Sequence, residues 1–64
     1  MTLEQIKQAV SSGKIVHHQN KSYTVTVDKN NQWLIRHTNG YCIGLTWLDG
    51  VTLNGEESEF YIEE

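Results

Sequence analysis

The sequence predicts an α+β fold: a short N-terminal helix packed on a strongly curled antiparallel meander of five or six short strands. Three observations predict it. A capping sequence followed by apolar residues at helical spacing opens the chain, over about residues 2–12. Apolar and polar side chains alternate with a period of two from Tyr23 onward. Turn-forming pairs (Asn39-Gly40, Asp49-Gly50, Asn54-Gly55) punctuate the remainder at short intervals.

Taken in order, Thr2-Leu3-Glu4-Gln5 fits a capping box, in which the Thr2 hydroxyl and the Gln5 side chain satisfy free amides of the first turn. Leu3, Ile6 and Val10 follow on one stripe with Ala9 beside them, and Gly13 is placed to take the left-handed position after the helix. So short a helix is unstable alone in water, so its stripe must pack on the sheet. Lys14 to Gln19 reads as a strand that turns at Asn20-Lys21, pairing Val16 with Val25 and His18 with Tyr23.

Tyr23, Val25 and Val27 alternate with Thr24, Thr26 and Asp28, residue types suited to a pleated, half-buried surface. A three-residue loop, Lys29 to Asn31, then sets Val27 opposite Trp33, Val25 opposite Ile35 and Tyr23 opposite His37. Asn39-Gly40 signals a two-residue type I′ turn, which pairs His37 with Cys42, Arg36 with Ile43 and Leu34 with Leu45. On this register one face carries Tyr23, Val25, Val27, Trp33, Ile35, His37 and Cys42. The other carries Thr24, Thr26, Leu34, Arg36, Thr38, Tyr41, Ile43, Leu45 and Trp47. Neither face is properly polar. Val51 to Leu53 is a further short strand, and Glu59 to Ile62 a last edge strand flanked by acids. So many strands in so few residues require a strong curl, either open or closed into a small barrel of SH3-like or OB-like architecture.

A chain of 64 residues makes one domain, 1–64, with a stability of roughly 3–5 kcal/mol unless a partner adds burial. Cys42 is the one cysteine and forms no disulfide within the chain, which fits a reducing compartment. With no apolar run of membrane-spanning length and no signal-peptide pattern, the expected location is the cytoplasm, with no membrane partner. The net charge of −3 conceals a division. Residues 1–36 hold all five basic residues and two acids, whereas residues 37–64 hold six acids and no base. The bases are spread singly and form no nucleic-acid stripe.

The expected register lines up His18, Tyr23, His37 and Cys42 as a row on one face, with neighbours about 4.5–5.5 Å apart. His37 beside Cys42 would be a thiol–imidazole pair or, with His18, part of a metal site. No CxxC or HxxxH spacing accompanies them and no third group orients the histidine, so the row reads as a core edge around an inert thiol. His17 and His18 point to opposite faces of a strand and cannot chelate one ion together. There is no phosphate loop, no carboxylate pair in a cleft and no nucleophile motif. No catalytic residue, metal or cofactor is expected.

Arg36, Tyr41, Ile43, Leu45 and Trp47, with Leu34, form a patch on the second face. Aromatics around an arginine are typical of interface centres, so the patch reads as a surface for another protein or a second copy of this chain in a homodimer. The competing reading makes it the interior of a curled sheet. Glu56, Glu57 and Glu59, followed by Glu63 and Glu64, would steer encounter with a basic protein surface or serve as a solvated end. The same acids count against nucleic acid, although Trp33, Tyr41 and Trp47 could stack on single-stranded bases if the sheet closed into a small barrel.

The segments IKQAVSSGKIVHHQNKSYTV and CIGLTWLDGVTLNG give the chain the texture of small proteins of bacteriophages, prophages and mobile elements, which it resembles over most of its length. The resemblance implies a cytoplasmic accessory role exerted by binding a host or phage protein. It brings no site residues. The function expected from the sequence is therefore a small non-catalytic protein-binding module, of the kind that modulates a host protein, with the single-stranded nucleic-acid-binding barrel as the alternative.

Overall fold

Helix α1 (Leu3–Ser11) lies against a five-stranded sheet made of β1 (Val16–His18), β2 (Asn20–Val27), β3 (Trp33–His37), β4 (Cys42–Gly44) and β5 (Phe60–Ile62). The computed structural model describes residues 1–63, so Glu64 of the acidic end lies outside the described residues. Every strand pairing is antiparallel, and the spatial order is β4-β3-β2-β1-β5. β4 and β5 are its two ends, and the sheet does not close into a barrel.

The helix forms as its cap dictates. The Thr2 hydroxyl accepts from the Gln5 amide at 3.2 Å and the Gln5 side chain accepts from the Thr2 amide at 2.9 Å. Gly13 follows with φ +87°, a conformation in which glycine carries no Cβ penalty. Ile6 and Ala9 on the buried stripe meet Val16, Val25, Ile35, Leu45 and Phe60, and these seven residues are the core. Met1, Leu3, Val10, Tyr23, Trp33, Ile43, Leu53 and Ile62 pack around them, half-buried.

The β2–β3 hairpin has the expected register: Val27 faces Trp33, Val25 faces Ile35 and Tyr23 faces His37. Its loop is fixed by Asp28, whose Oδ1 accepts from the Asn30 and Gln32 amides at 2.8 and 2.9 Å, and by Asn31 at φ +66°.

The β3–β4 hairpin departs from expectation by one residue. Ile35 faces Ile43, Arg36 faces Cys42 and Leu34 faces Gly44. The loop takes three residues, Thr38-Asn39-Gly40, with Gly40 at φ +94°. A type I′ turn would need a positive φ at Asn39 as well, and Asn39 does not have one. Its side chain instead accepts from the Tyr41 amide at 2.8 Å. One step of register turns every β4 side chain to the other face. Ile43 and Leu45 thereby reach the core beneath the helix, while Cys42 and Gly44 turn outward. Burying a leucine is worth about 1.5–3 kcal/mol, which outweighs the preference for the tighter turn.

β1 keeps the expected alignment as far as His17 opposite Thr24, then slips. Gln19 adopts φ +69° and β2 already starts at Asn20, so the turn comes earlier than Asn20-Lys21. After β4 the chain forms no strand over Val51–Leu53. A single bridge joins Thr46 to Leu53, and Asn54 folds back on β4, its amide donating to the Leu45 carbonyl at 2.8 Å and its side chain to Gly44 O at 3.1 Å.

Candidate functional site

The corrected register disperses the expected patch. Leu45 is fully buried and Ile43 is half-buried against the core, so neither forms a surface. Tyr41 remains exposed beside the β3–β4 turn, and Trp47 remains exposed at the far end of β4. The strand Cys42–Gly44 and the bend after it separate these two aromatics. Arg36 is exposed opposite Cys42, on the face away from the helix. The His37–Cys42 pair does not form for the same reason. The rest of the row does: His18 lies edge-on to Tyr23 at 6.1 Å between ring centroids, and Tyr23 to His37 at 4.8 Å.

What takes the place of the patch is the loop Trp47-Leu48-Asp49-Gly50-Val51. Trp47 is 61% exposed, Val51 72%, and Leu48 entirely so. Large apolar side chains gathered on one turn normally need a reason to face water. The loop is nevertheless tightly built. Asp49 Oδ1 accepts from the Val51 and Thr52 amides at 3.0 and 2.9 Å, and Oδ2 accepts from the Thr52 hydroxyl at 2.5 Å. The Trp47 amide donates to Thr52 O and the Gly50 amide to Trp47 O, both at 2.9 Å. The Thr52 hydroxyl, then the Thr52 and Val51 amides, hold the Asp49 carboxyl below its ordinary pKa, so the charged form that fixes the loop is the favoured one. Buried Leu45 and half-buried Leu53 root the two ends of the loop in the core. Beside it a cleft of about 480 Å³ runs past Trp33, Leu34 and Thr46, and Lys7 Nζ stands 5.6 Å from the Trp33 ring centroid.

The expected acidic site also divides. Glu56 and Glu57 are exposed. Glu59 is structural: its carboxylate accepts from Gln19 Nε2 at 3.0 Å, from the Glu56 amide at 3.0 Å, and lies 3.2 Å from His18 Nε2. Gln19, then the Glu56 amide, then His18 lower its pKa to about 2. Gly55 sits directly on this arrangement, where a Cβ would stand 2.8 Å from His18 Nε2.

Sequence reasoning missed a clasp on the last strand. His17, almost fully buried, places Nδ1 2.9 Å from the Tyr23 carbonyl and Nε2 3.0 Å from Glu63 Oε1. His18 stacks on Phe60 with 4.4 Å between centroids. Adjacent histidines thus hold β5 from opposite faces of the sheet. The signal was present in the His17-His18 doublet and the Glu59/Glu63 spacing, but only the β1–β5 register brings them together.

Among the described residues no group of three or more His, Cys, Asp or Glu side chains is placed to hold a metal ion, and no helix is long and apolar enough to cross a membrane. No family model, no curated protein and no solved structure matches this chain.

Proposed function

We propose that this chain is a small non-catalytic protein-binding module that engages its partner through the Trp47–Val51 loop. The observation that carries the reading is the combination of exposure and order: Trp47, Leu48 and Val51 face solvent on a backbone that Asp49 pins by three hydrogen bonds. An ordered apolar loop loses little conformational entropy on binding, and tryptophan is the residue type most enriched among interface hot spots. Exposed Glu56 and Glu57 add negative charge that steers encounter with a basic partner at low salt.

The test is capture of partners on immobilised protein, comparing the native chain with the double variant Leu48→Ser/Val51→Ser. Both positions are exposed, so folding should be unchanged by circular dichroism. Partners retained by the native chain and lost by the folded variant support the reading. Equal retention by both would refute it. Light scattering over a concentration series distinguishes a second copy from a different protein as the occupant.

A further inference from the structure

We infer that the outer edge of β5 receives an extended segment of a partner protein as a sixth, antiparallel strand, apolar at alternate positions and basic at its C-terminal end. The outer edge of β5 is distinct from the Trp47–Val51 loop, although exposed Glu56 and Glu57 serve both. The two sheet edges differ. At β4 the edge is strapped, because Asn54 donates to Gly44 O and to Leu45 O. No comparable strap among the described residues crosses β5, which ends the sheet on the other side.

The direction of the free backbone groups follows from the ladder. Glu63 donates to Ile15 O and Gln19 donates to Glu59 O, so residues 59, 61 and 63 are the ones bonded inward to β1. Hydrogen-bonded and non-hydrogen-bonded pairs alternate in an antiparallel ladder. Phe60 and Ile62 therefore direct their backbone groups outward. The Phe60 amide donates back to Glu57 O, which leaves the Phe60 carbonyl and both groups of Ile62 aimed at the edge. Beside them an open groove of about 690 Å³ separates the strand from the helix, with Ala9, Phe60 and Ile62 as apolar lining and Gln5, Gln8 and Ser12 as polar wall. Alternate side chains of an added strand would enter this groove, the arrangement by which sheet edges recognise extended peptides.

Charge selects the occupant and its polarity. Glu56, Glu57 and Glu59 cluster where β5 begins, and the Met1 amine lies 2.6 Å from Glu57 O. Lys14 lines the groove, and it precedes Ile15, the partner of Glu63, so it belongs to the end where β5 finishes; Glu63, at the same end, turns its carboxylate to His17 on the other face of the sheet. An antiparallel segment brings its C-terminal residues to the glutamates and its N-terminal residues to Lys14, so basic residues fit at the former. A second copy fits poorly. Pairing β5 with its own copy about Tyr61 sets Glu59 opposite Glu63, and like charges directly opposite are destabilising.

Three acetylated, amidated peptides test this: Thr-Val-Thr-Val-Thr-Lys-Lys, the same core ending in Glu-Glu, and the reversed order Lys-Lys-Thr-Val-Thr-Val-Thr. The first should bind at least tenfold more tightly than either of the others, weaken as salt rises, and slow hydrogen exchange at the Ile62 amide. The Leu48→Ser/Val51→Ser variant should bind it equally well, which separates failure here from failure of the loop reading. Equal binding of the three peptides, unchanged exchange at Ile62 with the first peptide at millimolar concentration, or Ile62 protection that appears with self-association and no peptide would each overturn the inference.

Discussion

His17 and Glu63 lie 46 positions apart in the chain and 3.0 Å apart in space, and their contact closes the last strand onto the sheet. The other ring nitrogen of His17 faces the Tyr23 carbonyl, so one imidazole ties β2 and β5 to the strand between them. Replacing Glu63 by alanine leaves His17 Nε2 buried without its partner. With the carboxylate about one-third exposed and partly screened, the expected loss is roughly 1 kcal/mol. Native-state hydrogen exchange should show the loss locally, as faster exchange at Tyr61 and at the amide of position 63, with β2 and β3 unaffected. Unchanged exchange at Tyr61 would mean the contact contributes nothing.

Leu45 and Leu48 are three residues apart and opposite in environment, one sealed in the core and one fully in water. Leu45→Ala should cost about 2–5 kcal/mol, enough to unfold much of a domain this small at room temperature. Leu48→Ala should stay within about 0.5 kcal/mol of the native chain. Urea denaturation of both variants measures the contrast. Comparable midpoints would put β4 back in the register in which Leu45 faces outward.

Acid should weaken the fold through Glu59. Its pKa falls from an ordinary 4.5 to about 2 in the folded state, so the unfolded chain binds the proton more readily. The stabilisation is complete above about pH 4.5 and is lost as pH drops toward 2. Glu59→Gln should remove this component, giving a shallower decline of thermal midpoint across that interval. An identical pH profile for the variant would exclude Glu59 as a source.

Asp49→Ala should free the loop while leaving the core intact, because the carboxylate bonds only to Val51 and Thr52 of its own turn. Partner affinity should then fall several-fold through ordering cost alone, at about 0.5–1.5 kcal/mol for each side chain that must be immobilised. Calorimetry should record the fall as a less favourable entropy. Affinity equal to that of the native chain would show that loop order is irrelevant to binding.

Elements governed by neighbours in sequence are legible in the sequence itself. Thr2 and Gln5 announce the helix, and Val25 and Val27 meet Ile35 and Trp33 as alternation requires. Asn39-Gly40 marks the hairpin but not its length, because turn chemistry favours two residues and the core favours three. That single residue decided which side chains of β4 belong to the surface, and the expected patch dissolved with it. Glu59 and Glu63 read as solvated charge because their histidine partners lie more than forty positions away.

The order β4-β3-β2-β1-β5 carries a consequence for how the molecule assembles. The pairings from β1 through β4 close loops of a few residues, whereas β5 must return across more than forty positions to reach β1. Long closures are entropically dear and come late. A chain without its final segment would bare the Val16–His18 border and strip His17 and His18 of Glu63, Glu59 and Phe60 at once.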